Sequence, residues 1–151
     1  MPSVNPGPAV TSSPNTDAVM SPCNTLSNPV VQGANAFRLL AIAKGANVNA
    51  LGDTAMPVIN ANSYSVFQIV LTNASISLTA AAAGVFTAPA AGGTAIKANA
   101  ALATNTGPTV VIQATVAATA VQTAQTLYVN VGTAQGAAAT LDVYVYGYDL
   151  S

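Results

Sequence analysis

Seven side chains of this chain carry charge: Asp17, Arg38, Lys44, Asp53, Lys97, Asp142 and Asp149. There is no Glu, no His and no Trp. General acid–base work draws mainly on His and carboxylates tuned near neutral pH, so this inventory argues against an enzyme. Any of the 17 threonines could be named as a nucleophile, but no base stands in a motif to activate one. No G-x-S-x-G elbow is present, and Gly92-Gly93 lacks the Gly-Lys-Ser/Thr of a phosphate loop. One cysteine, Cys23, and no histidine fall short of a zinc site. Asp53, in Gly52-Asp53-Thr54, reads as a turn residue rather than a calcium ligand. Asp142 and Asp149 lie seven residues apart on or after one strand and so point to opposite faces. A glycosidase pair would have to face one cleft. Three scattered cations cannot displace the counterions of a nucleic acid. No cofactor, metal or nucleic acid is therefore expected.

The residues that do suggest a task are aromatic. Tyr144, Tyr146 and Tyr148 alternate with Val143 and Val145, so on one strand the three rings project from one face. Tyrosine combines contact area with a polar tip and is enriched in protein interfaces. The row reads as a contact with a partner or another copy of the chain. Two other uses stay open: an outer sheet face covered by a loop or by the chain's own N-terminal arm, and a platform for sugar rings. Composition favours association. Only 5% of residues are charged and the net charge is -1, against roughly 25% charged in an average domain. Near-zero net charge lets identical surfaces meet. With 32 alanines the core is expected to be thin. A homo-oligomer of closed symmetry follows.

The elements that must position these side chains are strands. Residues 37–151 break into short apolar runs separated by turn residues: Arg38–Ala43, ended by Lys44-Gly45, Thr54–Ile59, Tyr64–Asn73, Gly84–Ala88, Thr94–Lys97, Thr109–Val116, Thr126–Val131 and Leu141–Tyr148. Pro57 marks its run as an edge strand or a bulge. In Tyr64–Asn73, period two places Phe67, Ile69 and Leu71 on one face, the expected core. Pro89-Ala90-Ala91-Gly92-Gly93 is a loop signal. Ala80–Ala83 and Val116–Gln125 carry a competing helical propensity, but no segment sustains a helical apolar stripe. The expectation is one all-β sandwich or barrel-like domain over residues 37–151.

Residues 1–36 differ. Six of the nine prolines fall here, at Pro2, Pro6, Pro8, Pro14, Pro22 and Pro29. Proline excludes helix and central strand and favours an extended polyproline-like arm. Alone, such an arm buries too little to offset its ordering entropy. It therefore needs a surface, either a partner's or that of its own domain. Pro6, Pro8, Pro14, Pro22, Pro29, Val30 and Val31 are the expected partner contacts. No basic and apolar leader pattern opens the chain, and no run of 18 apolar residues appears, so neither secretion nor a membrane is expected. Asn73-Ala74-Ser75 then reads as a chance glycosylation match.

Several short stretches resemble small virion proteins of tailed bacteriophages. They include Ala43-Lys44-Gly45-Ala46-Asn47-Val48-Asn49 with Gly52-Asp53-Thr54-Ala55-Met56-Pro57, Leu71-Thr72-Asn73-Ala74-Ser75, and Gly84-Val85-Phe86-Thr87-Ala88 with Gly92-Gly93-Thr94-Ala95-Ile96. The ending, Thr126-Leu127-Tyr128-Val129-Asn130-Val131 and Ala137–Gly147, belongs with them. The texture is most similar to capsid decoration (cement) proteins and covers residues 37–151, leaving the arm outside. The resemblance implies a compact, often trimeric β module on the capsid exterior, with the major capsid protein and copies of itself as partners. A head–tail, tail or fibre component is the alternative within a virion. A surface adhesin or a glycan- or ice-binding module is the alternative from another class.

Overall fold

The computed structural model describes residues 37–113 and 116–151. The arm contacts expected at Pro6, Pro8, Pro14, Pro22, Pro29, Val30 and Val31 lie outside the described residues, as does Cys23. The described chain forms eight strands: β1 (Phe37–Asn47), β2 (Gly52–Pro57), β3 (Tyr64–Thr72), β4 (Ala82–Ala88), β5 (Gly92–Ala101), β6 (Val111–Gln113), β7 (Thr126–Thr133) and β8 (Thr140–Asp149). They make two four-stranded sheets, ordered β1-β8-β3-β6 and β2-β7-β4-β5, and every pairing is antiparallel. The fold is an all-β sandwich, with one strand within or overlapping each expected run, the sixth reduced to Val111–Gln113.

The core lies between the sheets. From β8 it takes Leu141, Val143 and Val145, and from β7 Leu127, Val129 and Val131. Leu40, Met56, Ile69, Val85 and Ile96 come from the other strands. Between them sit alanines, including Ala41, Ala43, Ala46, Ala81, Ala83 and Ala139. The core is fuller than the alanine count led one to expect, because leucine, valine, isoleucine, methionine and Tyr64 supply most of it, each burying more area than alanine at about 25 cal/mol per Å². A small, partly open pocket of about 20 Å³, walled by Ile69, Leu71, Val129 and Val143 among others, has room for about one water.

Three local readings change, and two others hold. Lys44-Gly45 does not end β1: Gly45 takes φ 62° in a bulge between Ala43 and Ala46, and the strand runs on to Asn47. The left-handed conformation that a bulge of this kind needs is open to glycine at little cost. Gly52 and Asp53 are not a turn but the start of β2, paired with Val131 and Asn130. Pro57 does lie on an edge strand, at the margin of its sheet. Helical propensity at Ala80–Ala83 loses to pairing, since Ala82 and Ala83 join β4 against β5 and β7. The stretch 116–125 is irregular where described, touching β3 through the Tyr64–Gln122 bridge.

The third change bears on function. Phe67 is not core. β3 pairs Val66 with Gly147 and Gln68 with Tyr146, so Phe67 is an extra, bulged residue. Val66 and Ile69 both turn inward, while Phe67 is left 61% exposed. A bulge shifts alternation by one residue, and period two cannot reveal where it falls.

Candidate functional face

β8 alternates as its sequence requires. Leu141, Val143, Val145 and Gly147 are buried, Tyr144 and Tyr146 are half-buried, and Tyr148 is exposed. The pairing aligns outward side chains into rows across the first sheet. Ile42, Tyr144, Val70 and Ile112 form one row spanning all four strands. Leu39, Tyr146 and Gln68 form the next, and Phe37, Tyr148 and Ser65 the third. Directly opposed side chains in a sheet lie within contact distance of each other.

At one end the rings gather. Phe37 is the hub, stacked on Tyr146 with centroids 6.2 Å apart. It meets Tyr148 edge-on at 5.4 Å and Phe67 at 5.7 Å and 85°. Phe67 and Tyr148 close the group at 6.1 Å. These are the offset and edge-to-face separations that aromatic quadrupoles favour. The sequence row Tyr144–Tyr146–Tyr148 is thus split. Tyr146 and Tyr148 join through Phe37, whereas Tyr144 lies in the aliphatic row beside Ile42 and Val70. Phe37 and Phe67 were missed as site residues. Phe67 is hidden by its bulge, and Phe37 carries no periodic signal at the start of its strand.

Gly147 makes this arrangement possible. It is buried on β8 between Arg38 of β1 and Val66 of β3. Both neighbouring strands bulge close to it, at Leu40 and at Phe67. A Cβ at 147 would fall on the Ser65 carbonyl oxygen and come within 2.7 Å of Leu40 Cδ1 and 2.9 Å of Val66 Cα. Without a side chain there, β1 and β3 draw in and carry Phe37 and Phe67 over Tyr148.

The described carboxylates are all held by bonds within the fold. Asp53 accepts from the Ala90 amide at 2.8 Å and from Asn130 Nδ2 at 2.9 Å, tying β2 to β7 and to the β4–β5 turn. Asp142 accepts from the Gly45 amide at 2.7 Å, securing the β1 bulge. Asp149 pairs with Arg38 at 2.6 Å and accepts from the Ser151 hydroxyl at 2.7 Å. Burial pushes the Asp149 carboxyl up, but the Ser151 hydrogen bonds and the Arg38 guanidinium outweigh it and hold it below the ordinary value. Asp142 and Asp149 do lie on opposite faces. Among the described residues no three His, Cys, Asp or Glu side chains gather as a metal site.

The molecule is therefore a β-sandwich whose first sheet carries an aromatic and aliphatic outer face, with Asp142 on that face one row beyond Tyr144. No family model, curated protein or solved structure matches this chain.

Proposed function

We propose that this chain is a non-enzymatic structural protein of a virion, bound to the outside of a capsid and reinforcing contacts between major capsid subunits. One observation carries the reading. Of eight aromatic side chains, five stand on one outer sheet face: Phe37, Phe67, Tyr144, Tyr146 and Tyr148. The core between the sheets is filled instead mainly by aliphatic side chains, with alanines among them. A sandwich built only to be stable would place its largest rings between the sheets, where each buries most area. Contiguous exposed apolar surface of this kind marks a protein contact. The same face, or part of it, serves assembly of the protein into a trimer. The virion and the trimer come from the resemblance of residues 37–151 to decoration proteins.

Sugar stacking fits the face less well. Three of the four ring contacts are closer to perpendicular than to parallel, so they do not offer the flat platform a sugar ring packs on. A head–tail, tail or fibre position uses the same surface chemistry and differs in number. Quantitative mass spectrometry of purified particles separates the two: many copies per particle, scaling with the capsid lattice, support decoration. A handful of copies at one vertex, or none, overturns it.

A further inference from the structure

The aromatic cluster sits where the N-terminal stretch joins the sandwich, since its hub is Phe37, the first residue of β1. Phe37 is 49% exposed, Phe67 61% and Tyr148 41%, with nothing among the described residues laid over them. The 36 residues before Phe37 contain one charge, Asp17, and six prolines. The nearest of these prolines begins the run Pro29-Val30-Val31. Proline-rich segments bind aromatic-lined surfaces because their extended backbone is already restricted and its carbonyls lack internal partners. Tyr146 and Tyr148 bring phenolic donors for such carbonyls, and Phe37 and Phe67 bring faces for proline and valine.

We propose that Pro29-Val30-Val31 of the chain's own N-terminal stretch packs over the Phe37–Phe67–Tyr146–Tyr148 cluster. Reach allows it. Gln32–Ala36, with Gly33 to reverse direction, spans at most about 18 Å, while the ring centroids lie 5.4–6.2 Å apart. The tether also favours the chain's own segment over a second copy's, because a short linker gives an effective concentration in the millimolar range. The particle-attachment reading above stands or falls separately, since it depends on what binds and not on what covers the rings beforehand.

Cys23 is the chain's single cysteine, so a nitroxide attaches there specifically, at most about 20 Å of extended chain from Pro29. In dilute, full-length, 15N-labelled protein, the nitroxide is expected to weaken the amide signals of Phe37, Phe67, Tyr146 and Tyr148. Signals of Asp53 and Asn130 on the other sheet keep their intensity. Val30→Asp with Val31→Asp restore the weakened signals. The proposal is overturned if the four signals keep full intensity, or if loss spreads evenly over both sheets. It is equally overturned if loss appears only when nitroxide-labelled 14N chains are mixed with 15N Cys23→Ser chains, because the segment then belongs to a second copy.

Discussion

Arg38 and Asp149 join the first strand to the last, and Arg38 Nη2 also donates to the Asn60 carbonyl at 2.5 Å. The pair sets the edge of the sheet whose outer face holds the rings. Because the Asp149 carboxyl is held below its ordinary value of 3.8, its stabilising contribution is fully present above that value. It is lost as pH falls through the lowered native value. Asp149→Asn should cost about 1.5–3 kcal/mol at neutral pH, the range for hydrogen bonds to charged groups. In urea titrations the variant and parent curves should converge in strong acid; a gap independent of pH would contradict the assignment. At the other extreme lies Tyr64, fully buried, its hydroxyl donating to the Ala124 carbonyl at 2.7 Å. Burial pushes its pKa up to about 12. Its neutral form therefore favours folding below the unfolded value of about 10, and that contribution disappears as pH rises through about 12. Tyr64→Phe should remove this alkaline component and about 1 kcal/mol at neutral pH.

Among the elements, β1, β8 and β3 form the working unit, and their geometry depends on bulges. Gly147→Ala sets a methyl against the Ser65 carbonyl and Val66 Cα, so β1 or β3 must move away. Overpacking of this kind costs about 1–3 kcal/mol, and it should also separate the Phe37 and Phe67 rings. Near-ultraviolet circular dichroism would register that separation, and an unchanged aromatic signal in a folded variant would count against this role for Gly147. The β4–β5 turn offers the opposite test. Ala90 and Ala91 both take positive φ, 57° and 56°, and the Gly92 amide donates to the Pro89 carbonyl at 3.0 Å. That is a type I′ turn, which favours Asn-Gly, whereas an alanine in this region costs about 1–2 kcal/mol. Ala90→Asn with Ala91→Gly keeps the Ala90 amide bond to Asp53 and should raise stability by about 1 kcal/mol. Chemical denaturation showing a loss would refute it.

For the whole molecule, the decisive contrast is between a mainly aliphatic interior and an aromatic outer sheet face. If the face is the attachment surface, Tyr144→Ser with Tyr146→Ser should leave the fold intact, since neither ring belongs to the core cluster, yet weaken trimer formation or particle binding. Size-exclusion chromatography with light scattering and a co-sedimentation assay read the two effects. Attachment should also vary little with salt, because six described charges are dispersed and ionic screening acts mainly on exposed pairs. Release by salt alone at neutral pH would point to a charged contact instead. Deleting residues 1–30 should leave the sandwich folded and, if the arm itself lies across capsid subunits, loosen attachment to the shell, whereas an arm that only screens the rings would leave the shortened chain binding more tightly. Equal decoration by the shortened chain would remove the arm from the binding mechanism.

Composition and alternation alone determined the strand content, the eight runs and the inward face of β8. Valine and leucine at every second position can be buried together only on a sheet. Pro57 announced its edge for an equally local reason, since it lacks the amide a central strand must donate. What tertiary structure decided was register. Phe67 and Ile69 share a parity in the sequence, and only the pairing of Val66 with Gly147 and Gln68 with Tyr146 inserts the extra residue that turns Phe67 outward. Asp53 likewise resembled a turn residue until β7 placed Asn130 opposite it. The tyrosine row was legible because it lies on one strand. The four-ring cluster was not, because Phe37, Phe67, Tyr146 and Tyr148 come from three strands. Their meeting depends on bulges flanking a glycine, and the free energy that positions those bulges comes from contacts between residues distant in sequence.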